Sequence, residues 1–180
     1  MYPMIRFAKV IWQAKRQPKI GVLDPHISQH MCLPWDIDPW MELNNGRTLT
    51  LFDLGRLGFG ERVGLHAMLK KTGWGMAVAG AAVRYRRRVR AFDRFTTITR
   101  VVGWDEKFFY IDHTMWRRGE CTGQALLRNA VTSDKGIIKP RLALEAMGQP
   151  VESPPLPQWI QTWVEAEDNR PWPPEAGKLL

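Results

Sequence analysis

The segment 33–60 contains the side chains best suited to chemistry. Asp36 and Asp38 are separated by one residue, and the pair Asn44-Asn45 follows just before an apolar run. A carboxylate can act as a nucleophile or a general base. Asp and Asn before a helix are, however, commonly caps and turn residues. Taken alone, these residues favour capping over catalysis.

The apolar run predicts a helix from about Asn45 to Phe59. Its large apolar side chains cover more than one stripe, which is typical of a helix enclosed on all sides: Leu49, Leu51, Phe52, Leu54, Leu57 and Phe59. Gly55 and Gly58 lower the helix propensity but permit close approach by a neighbouring backbone. The first N–H groups of such a helix are free and suit a developing negative charge, whatever the side chain there.

Strand patterns lie on both sides of this helix. Residues 26–33 predict a first strand that Pro34 ends, with one face formed by His26, Ser28, His30 and Cys32. After Gly75 the apolar period changes to two, and residues 80–133 predict four antiparallel strands. Their sequences are AAVRYRRRVRA, RFTTITRVVGW, KFFYIDHTMWRR and TGQALLRNAVTS. One face of the third of these carries Phe109, Ile111, His113 and Met115.

A single helix against five strands is buried only if the sheet curls around it. We therefore predict an α+β hotdog fold, a curved antiparallel sheet wrapped around a central helix, with extra helical segments at both ends. The predicted hotdog domain spans residues 26–135. An amphipathic segment, residues 1–25, precedes it, and a Pro-rich extension, residues 136–180, follows it with a short helix at Gln158–Glu167.

The N-terminal segment has two interpretations. Its apolar residues alternate with basic ones in a roughly helical pattern, which suits a helix lying on a membrane surface. The same pattern suits a helix packed on its own domain or on a partner subunit, and this ordinary use is favoured. No apolar run is long enough to span a membrane. Two cysteines outside any CxxC pattern are typical of reduced thiols in a cytosolic protein, so we expect a cytoplasmic protein that could also contact the inner membrane face.

Composition limits the classes of function. The chain of 180 residues has 26 Lys and Arg against 18 Asp and Glu, a net charge of +8. This charge attracts phosphates, acidic proteins or anionic lipid, but no nucleic-acid-binding motif accompanies it, so that reading ranks last. Cys32 and Cys121 fit reduced thiols rather than a disulfide. The histidines show no metal-ligand spacing, so no metal is expected.

The sequence WDIDPWMELNNGRTLTLFDLGR resembles the 4-hydroxybenzoyl-CoA thioesterase branch of the hotdog superfamily, and the resemblance extends over roughly residues 26–135. In that family an Asp follows the first strand, and Asp38 matches it. The paired asparagines match Asn44 and Asn45. The family's Gly-His before this pair is Met41-Glu42 here, which is a departure from the pattern.

The resemblance implies hydrolysis of a fatty or aromatic acyl thioester without a metal or a separate cofactor. Asp38 would be the nucleophile or general base, and backbone N–H groups near Asn45 would form the oxyanion hole. The side chain of Asn44 or Asn45 could cap the helix. Glu42 is either a solvated residue or a replacement proton carrier for the missing His. Asp36 is interpreted as a turn or surface residue.

The arginines of the predicted strand 81–91 have two interpretations. They bind the phosphates of coenzyme A or the acidic surface of an acyl carrier protein, with Arg87 or Arg88 meeting the coenzyme. Alternatively they form a solvated outer sheet face, which is favoured because such faces are normally polar. The family's assembly implies a homodimer joined sheet edge to sheet edge, or a homotetramer. A second hypothesis is a non-catalytic protein that binds acyl-CoA or acyl carrier protein, or a membrane-associated scaffold.

Overall fold

The computed structural model describes residues 2–174, so Met1 and residues 175–180 of the predicted terminal segments lie outside it. The elements in chain order are α1 (Met4–Lys15), β1 (His26–Met31), a 3₁₀ turn (Pro34–Asp36), α2 (Asn45–Val63), α3 (Leu65–Thr72), β2 (Gly75–Tyr85), β3 (Arg94–Trp104), β4 (Phe109–Arg117), β5 (Glu120–Ser133), β6 (Gly136–Ile138), α4 (Pro140–Met147) and α5 (Gln158–Asn169).

The strands form one antiparallel sheet in the order β1-β3-β4-β5-β2, and β6 pairs with β5. The sheet curls around α2 as a half-barrel. From Arg47 to Val63 every residue of α2 is buried or only partly exposed. This arrangement confirms the predicted hotdog fold and the enclosed central helix.

Two glycines bring α2 close to the sheet. A Cβ atom on Gly58 would lie 2.6 Å from Nε2 of His26, and one on Gly55 would lie 2.8 Å from Oγ1 of Thr99. Both distances are too short for any larger residue to fit without movement. The glycines do permit a close approach, but the predicted partner was wrong: side chains, rather than a neighbouring backbone, fill the space.

The central helix runs four residues beyond its predicted end. Gly60 stays helical, and the helix stops at Gly64, whose left-handed φ of 87° is the usual conformation after a helix. The C-terminal extension also holds more structure than predicted. Pro140 begins α4 and Gly148, with φ 65°, ends it, so a Pro-to-Gly helix signal was missed.

The arginine strand is the main correction to the predicted fold. β2 ends at Tyr85, and the N–H groups of Arg86 and Arg87 both donate to the carbonyl of Thr122, at 2.9 and 3.0 Å. Two donors on one carbonyl break the one-to-one ladder of a strand pair. The residues from Arg86 to Arg90 therefore form a loop, and the alternation of their side chains does not define a sheet face.

The terminal segments pack on opposite sides of the sheet. Val10 and Ala14 of α1 are buried, and Val10 packs in the cluster around the first half of α2. Ile160 of α5 is fully buried with Tyr110 and Leu126, on the face of the sheet that points away from α2. The packing of α1 on its own domain fits the favoured interpretation of the N-terminal segment. The domain boundaries at 25 and 135 stay predictions.

A polar layer of histidines lies between α2 and the sheet. His113 is fully buried and shares a 3.0 Å hydrogen bond between Nδ1 and Oγ1 of Thr99. Burial, together with nearby Arg56, lowers its pKa to about 3. Burial lowers the pKa of His26 to about 4, with Arg62 adding to the effect, and burial beside Arg6 lowers that of His30 to about 4. All three rings are therefore neutral at pH 7.

We predict that this layer makes the fold sensitive to acid. An unfolded histidine takes up its proton near pH 6.5, whereas these rings resist protonation down to about pH 4. The stability they contribute is complete above pH 6.5 and is lost as the pH falls towards 4. Replacing His113 by Phe should flatten the dependence of the unfolding free energy on pH by about 1.4 kcal/mol per pH unit in this range.

Denaturant unfolding between pH 7 and pH 4 measures this slope. The matched control is Gln29→Thr, because Gln29 is exposed on β1 and has no titratable group, so the slope of this variant should equal that of the wild type. An unchanged slope for His113→Phe would contradict the prediction.

Candidate active site

Asp36 is buried at the base of the loop between β1 and α2. Its side chain is 2% exposed, and Oδ2 accepts hydrogen bonds from Nη2 of Arg6 at 2.8 Å and from the N–H of Leu33 at 2.9 Å. Nε of Arg47 lies 3.9 Å from Oδ1. The carbonyl of Asp36 also accepts from the N–H of Asn44 at 2.9 Å. Asp36 lies in the 3₁₀ turn, as the turn interpretation predicted, but the alternative of a surface position was wrong, since Asp36 is a buried anchor.

Asp38 is partly exposed and anchored through one oxygen. Oδ1 accepts from the N–H of Trp40 at 2.9 Å and from that of Glu42 at 3.3 Å. The N–H of Asp38 donates to the carbonyl of Glu42 at 2.9 Å, which closes the turn. Oδ2 forms no hydrogen bond with any residue in the range 2–174. The carboxylate is thus held in place with one oxygen free.

Asn44 and Asn45 lie at the start of α2 and have different roles. Oδ1 of Asn44 accepts from the N–H groups of Gly46 at 2.9 Å and Arg47 at 3.2 Å. The carbonyl of Asn44 accepts from the N–H of Thr48 at 2.9 Å. Asn44 is therefore the N-cap, and the capping interpretation is confirmed for it. The N–H of Asn45 has no acceptor within the described part of the chain.

A cleft of about 620 Å³ opens beside this helix start. We call it the α2 cleft. One wall is formed by Glu42, Asn45 and Thr48, and the other by the loop from Arg86 to Val89. The other lining residues are Leu43, Tyr85, Met115, Thr122 and Gly123. The N–H of Leu43 donates to the carbonyl of Val89 at 2.8 Å, so a backbone bond ties the two walls together.

The predicted arginines lie on this cleft, and each holds a carboxylate. Nε of Arg88 lies 3.0 Å from Oε2 of Glu42, and Nε of Arg87 lies 2.6 Å from Oε1 of Glu120. Both pairs are largely exposed, and such pairs contribute little to stability. A phosphate could therefore replace either carboxylate at small cost. Arg86 also lines the cleft and forms no ion pair with the described residues.

The structure brings Glu42, Asn45, Arg87 and Arg88 to one cleft. Asp38 and Asn44 lie beside it without lining it. Arg86 also lines the cleft and was not predicted, although the run of three arginines at 86–88 was a usable signal. Thr48 and Tyr85 were not predicted either, and nothing in the local sequence pattern indicates a role for them.

Two further properties concern residues 2–174. No helix there is both long and apolar enough to cross a membrane. No group of three His, Cys, Asp or Glu side chains in that range is placed to hold a metal ion.

We predict that Asp36→Asn destabilises the protein by about 3 kcal/mol, because it leaves the partly buried guanidinium of Arg6 without its countercharge. Urea unfolding measures the change. The control is Glu145→Gln, which removes an exposed pair with Arg141 on α4 and should cost less than about 0.5 kcal/mol. Equal small effects of the two substitutions would contradict the anchoring role of Asp36.

Comparison with known proteins assigns the chain to a family. A family model described as the thioesterase-like superfamily matches residues 32–164. Protein THEM6 of Xenopus laevis is 30% identical over 169 residues, which are 92% of this chain and 80% of that protein.

Two solved structures from Staphylococcus aureus share the fold. A DHNA-CoA thioesterase superposes with a TM-score of 0.60 at 15% identity, over 80% of this chain and 91% of that one. The hypothetical protein SAV2348, solved in complex with CoA, superposes with a TM-score of 0.63 at 10% identity, over 79% of this chain and 95% of that one. The resemblance found in the sequence is confirmed, and the chain belongs to the thioesterase-like superfamily.

Proposed function

We propose that this protein hydrolyses acyl-CoA thioesters at the α2 cleft. One observation carries the proposal: an unpaired N–H at the start of an enclosed helix lies on a cleft lined by arginines, beside an anchored carboxylate. These are the parts that thioester hydrolysis needs, namely a donor to the oxyanion, a group that attacks or activates water, and cations for the coenzyme phosphates. Membership of the thioesterase-like superfamily supports it.

The N–H of Asn45 is the proposed oxyanion donor. When a nucleophile adds to the thioester carbonyl, the oxygen gains negative charge. Asn44 already occupies the N–H groups of Gly46 and Arg47, so Asn45 supplies the remaining one in the first turn. The positive end of the helix dipole lies at the same place and favours the same charge.

Asp38 is the proposed reacting carboxylate. Its anchored Oδ1 fixes the orientation, and its free Oδ2 either attacks the carbonyl carbon or takes a proton from the attacking water. If Oδ2 attacks, expulsion of the coenzyme thiolate leaves an anhydride between the acyl group and Asp38, and water then hydrolyses this anhydride to the free acid. If Oδ2 activates water, expulsion of the thiolate releases the free acid directly. In both routes the thiolate takes up a proton and leaves as the free thiol. Glu42 is a second carboxylate on the cleft, and it can carry a proton once a phosphate draws Arg88 away from it.

The arginines are proposed to bind the phosphates of the substrate. Arg87 and Arg88 become available when the phosphates displace Glu120 and Glu42. The hypothetical protein SAV2348 was solved with CoA, which supports a coenzyme site in this fold. The acyl group is fatty or aromatic, and an acyl carrier protein is the alternative donor of the thioester.

A homodimer joined at β2 is the proposed assembly, with a homotetramer as the larger form. β2 is the edge strand of the sheet, with no neighbour on its outer side among the described elements. It is eleven residues long, and its exposed side chains include Val78 and Tyr85. A long apolar edge of this kind is a template for pairing with a second strand.

A second candidate is a non-catalytic protein that holds acyl-CoA or serves as a membrane-associated scaffold. Asp38 does not line the cleft of the single chain, and Glu42 stands in place of the family's His. On α1, Ile5 and Trp12 are exposed, which suits peripheral contact with the inner face of a membrane from the cytoplasm.

We predict that the wild-type protein hydrolyses at least one member of a panel of fatty and aromatic acyl-CoA thioesters. Asp38→Asn should lower kcat by at least about 100-fold, because loss of a positioned base or nucleophile has that effect. Asparagine keeps the oxygen that accepts from Trp40 and Glu42, so the turn is retained. Release of free coenzyme thiol measures the reaction.

Asp24→Asn is the matched control, since Asp24 only closes a turn by accepting from the N–H of Gly21. Equal rates for Asp38→Asn and the wild type would remove Asp38 from the mechanism. Intact acyl-CoA bound to the wild type without hydrolysis, seen by native mass spectrometry, would favour the second candidate.

A further inference from the structure

Two loops at one end of the sheet hold large apolar side chains in solvent. Trp35 is 66% exposed and Phe92 is 64% exposed. Met31 and Trp116, at the adjoining ends of β1 and β4, are 37% and 38% exposed. Four large apolar side chains exposed at one end of the sheet would be costly if water were their only neighbour.

The two loops are fixed to each other by backbone bonds. The N–H of Phe92 donates to the carbonyl of Cys32 at 2.7 Å, and the N–H of Cys32 donates to the carbonyl of Asp93 at 2.9 Å. Phe92 has a left-handed φ of 67°, which is unfavourable for a bulky residue. The fold therefore holds a phenyl ring in a strained and solvent-facing position without burying it.

Positive charge surrounds these side chains. A groove of about 900 Å³, which we call the basic groove, is lined by Lys9, Arg94 and Arg118 together with Met31 and Trp116. Arg90 lies two residues before Phe92 in the same loop. None of these four cations lies within ion-pair distance of a carboxylate of the described residues, although Arg118 is among the cations that lower the pKa of Asp93. The excess of positive charge therefore faces outward.

We propose that this end of the molecule docks on an anionic phospholipid bilayer. Trp35 and Phe92 enter the interfacial layer, where aromatic rings are favoured, and a lipid phosphate occupies the basic groove between Arg94 and Arg118. An acidic protein would also satisfy the arginines, and the vesicle and polyglutamate measurements below separate it from a bilayer. The combination of rings and unpaired cations is complementary to a bilayer surface.

The docking face stays free in the proposed dimer. β1 and β2 are opposite edges of the sheet, separated by four strand spacings or about 19 Å. The α2 cleft is lined by the same loop, residues 86–93, that carries Phe92. If the proposed function holds, docking brings the cleft next to the membrane, where fatty acyl groups collect.

Sedimentation with vesicles tests the proposal on the full chain. The wild type should bind vesicles made of equal parts phosphatidylcholine and phosphatidylglycerol, and should not bind vesicles of phosphatidylcholine alone. Trp35→Ser should weaken binding by about tenfold or more. Arg94→Gln combined with Arg118→Gln should weaken it by about 25-fold, or about fivefold for each charge.

Phe92→Asn separates docking from folding. Asparagine accepts the left-handed conformation, so this variant should gain about 2 to 4 °C in Tm while it binds vesicles more weakly. The controls are Trp12→Ser on α1 and the pair Lys139→Gln with Arg141→Gln near α4, which matches the change in net charge. Both controls should bind within about twofold of the wild type.

Several results would overturn the docking surface. The first is a wild type that does not bind anionic vesicles. The second is weaker vesicle binding in Trp12→Ser but not in Trp35→Ser. The third is that the charge-matched control loses as much vesicle binding as Arg94→Gln combined with Arg118→Gln. Binding to polyglutamate without binding to vesicles would assign the arginines to an acidic protein instead. Hydrolysis of a short acyl-CoA without vesicles should be unchanged in Trp35→Ser, so failure of docking and failure of the proposed activity are told apart.

Discussion

The buried carboxylate of Asp36 determines where the central helix begins. The carboxylate accepts hydrogen bonds from Arg6 of α1 and from the N–H of Leu33. The backbone carbonyl of Asp36, held in place by these bonds, accepts from the N–H of Asn44. Since Asn44 is the N-cap of α2, these bonds fix the first turn and with it the free N–H of Asn45. Displacement of the anchor would move the proposed oxyanion donor away from the cleft.

The site beside Asp36 combines exposed, weak ion pairs with backbone hydrogen bonds that hold its loops in place. Backbone bonds hold the loop walls, as in the bond between Leu43 and Val89. The charged pairs of Arg87 and Arg88 are exposed and exchangeable. Under the proposed function, a substrate with phosphates would enter by exchange of counterions, while the proposed donor at Asn45 would stay in place because the helix is enclosed.

The sequence was sufficient for the enclosed helix and for most strands, because their apolar periods are local and are confirmed by burial. It was insufficient where contact with a residue distant in sequence determines the burial of a side chain or the end of a strand. Asp36 and Asp38 have the same side chain, and the buried one is selected by Arg6, thirty residues away. The end of β2 is likewise decided by the carbonyl of Thr122, so the arginine alternation predicted a strand that is a loop.

The central claim is that a thioester carbonyl binds at the N–H of Asn45. The most direct test is a ¹⁵N–¹H NMR titration of the full chain with an acyl-CoA analogue in which a methylene replaces the thioester sulfur and the carbonyl is kept. The account predicts that the amide resonance of Asn45 moves downfield to saturation while that of Gly46, already bonded to Asn44, moves little. Saturable binding with no change at Asn45, or no binding of the analogue, would contradict it.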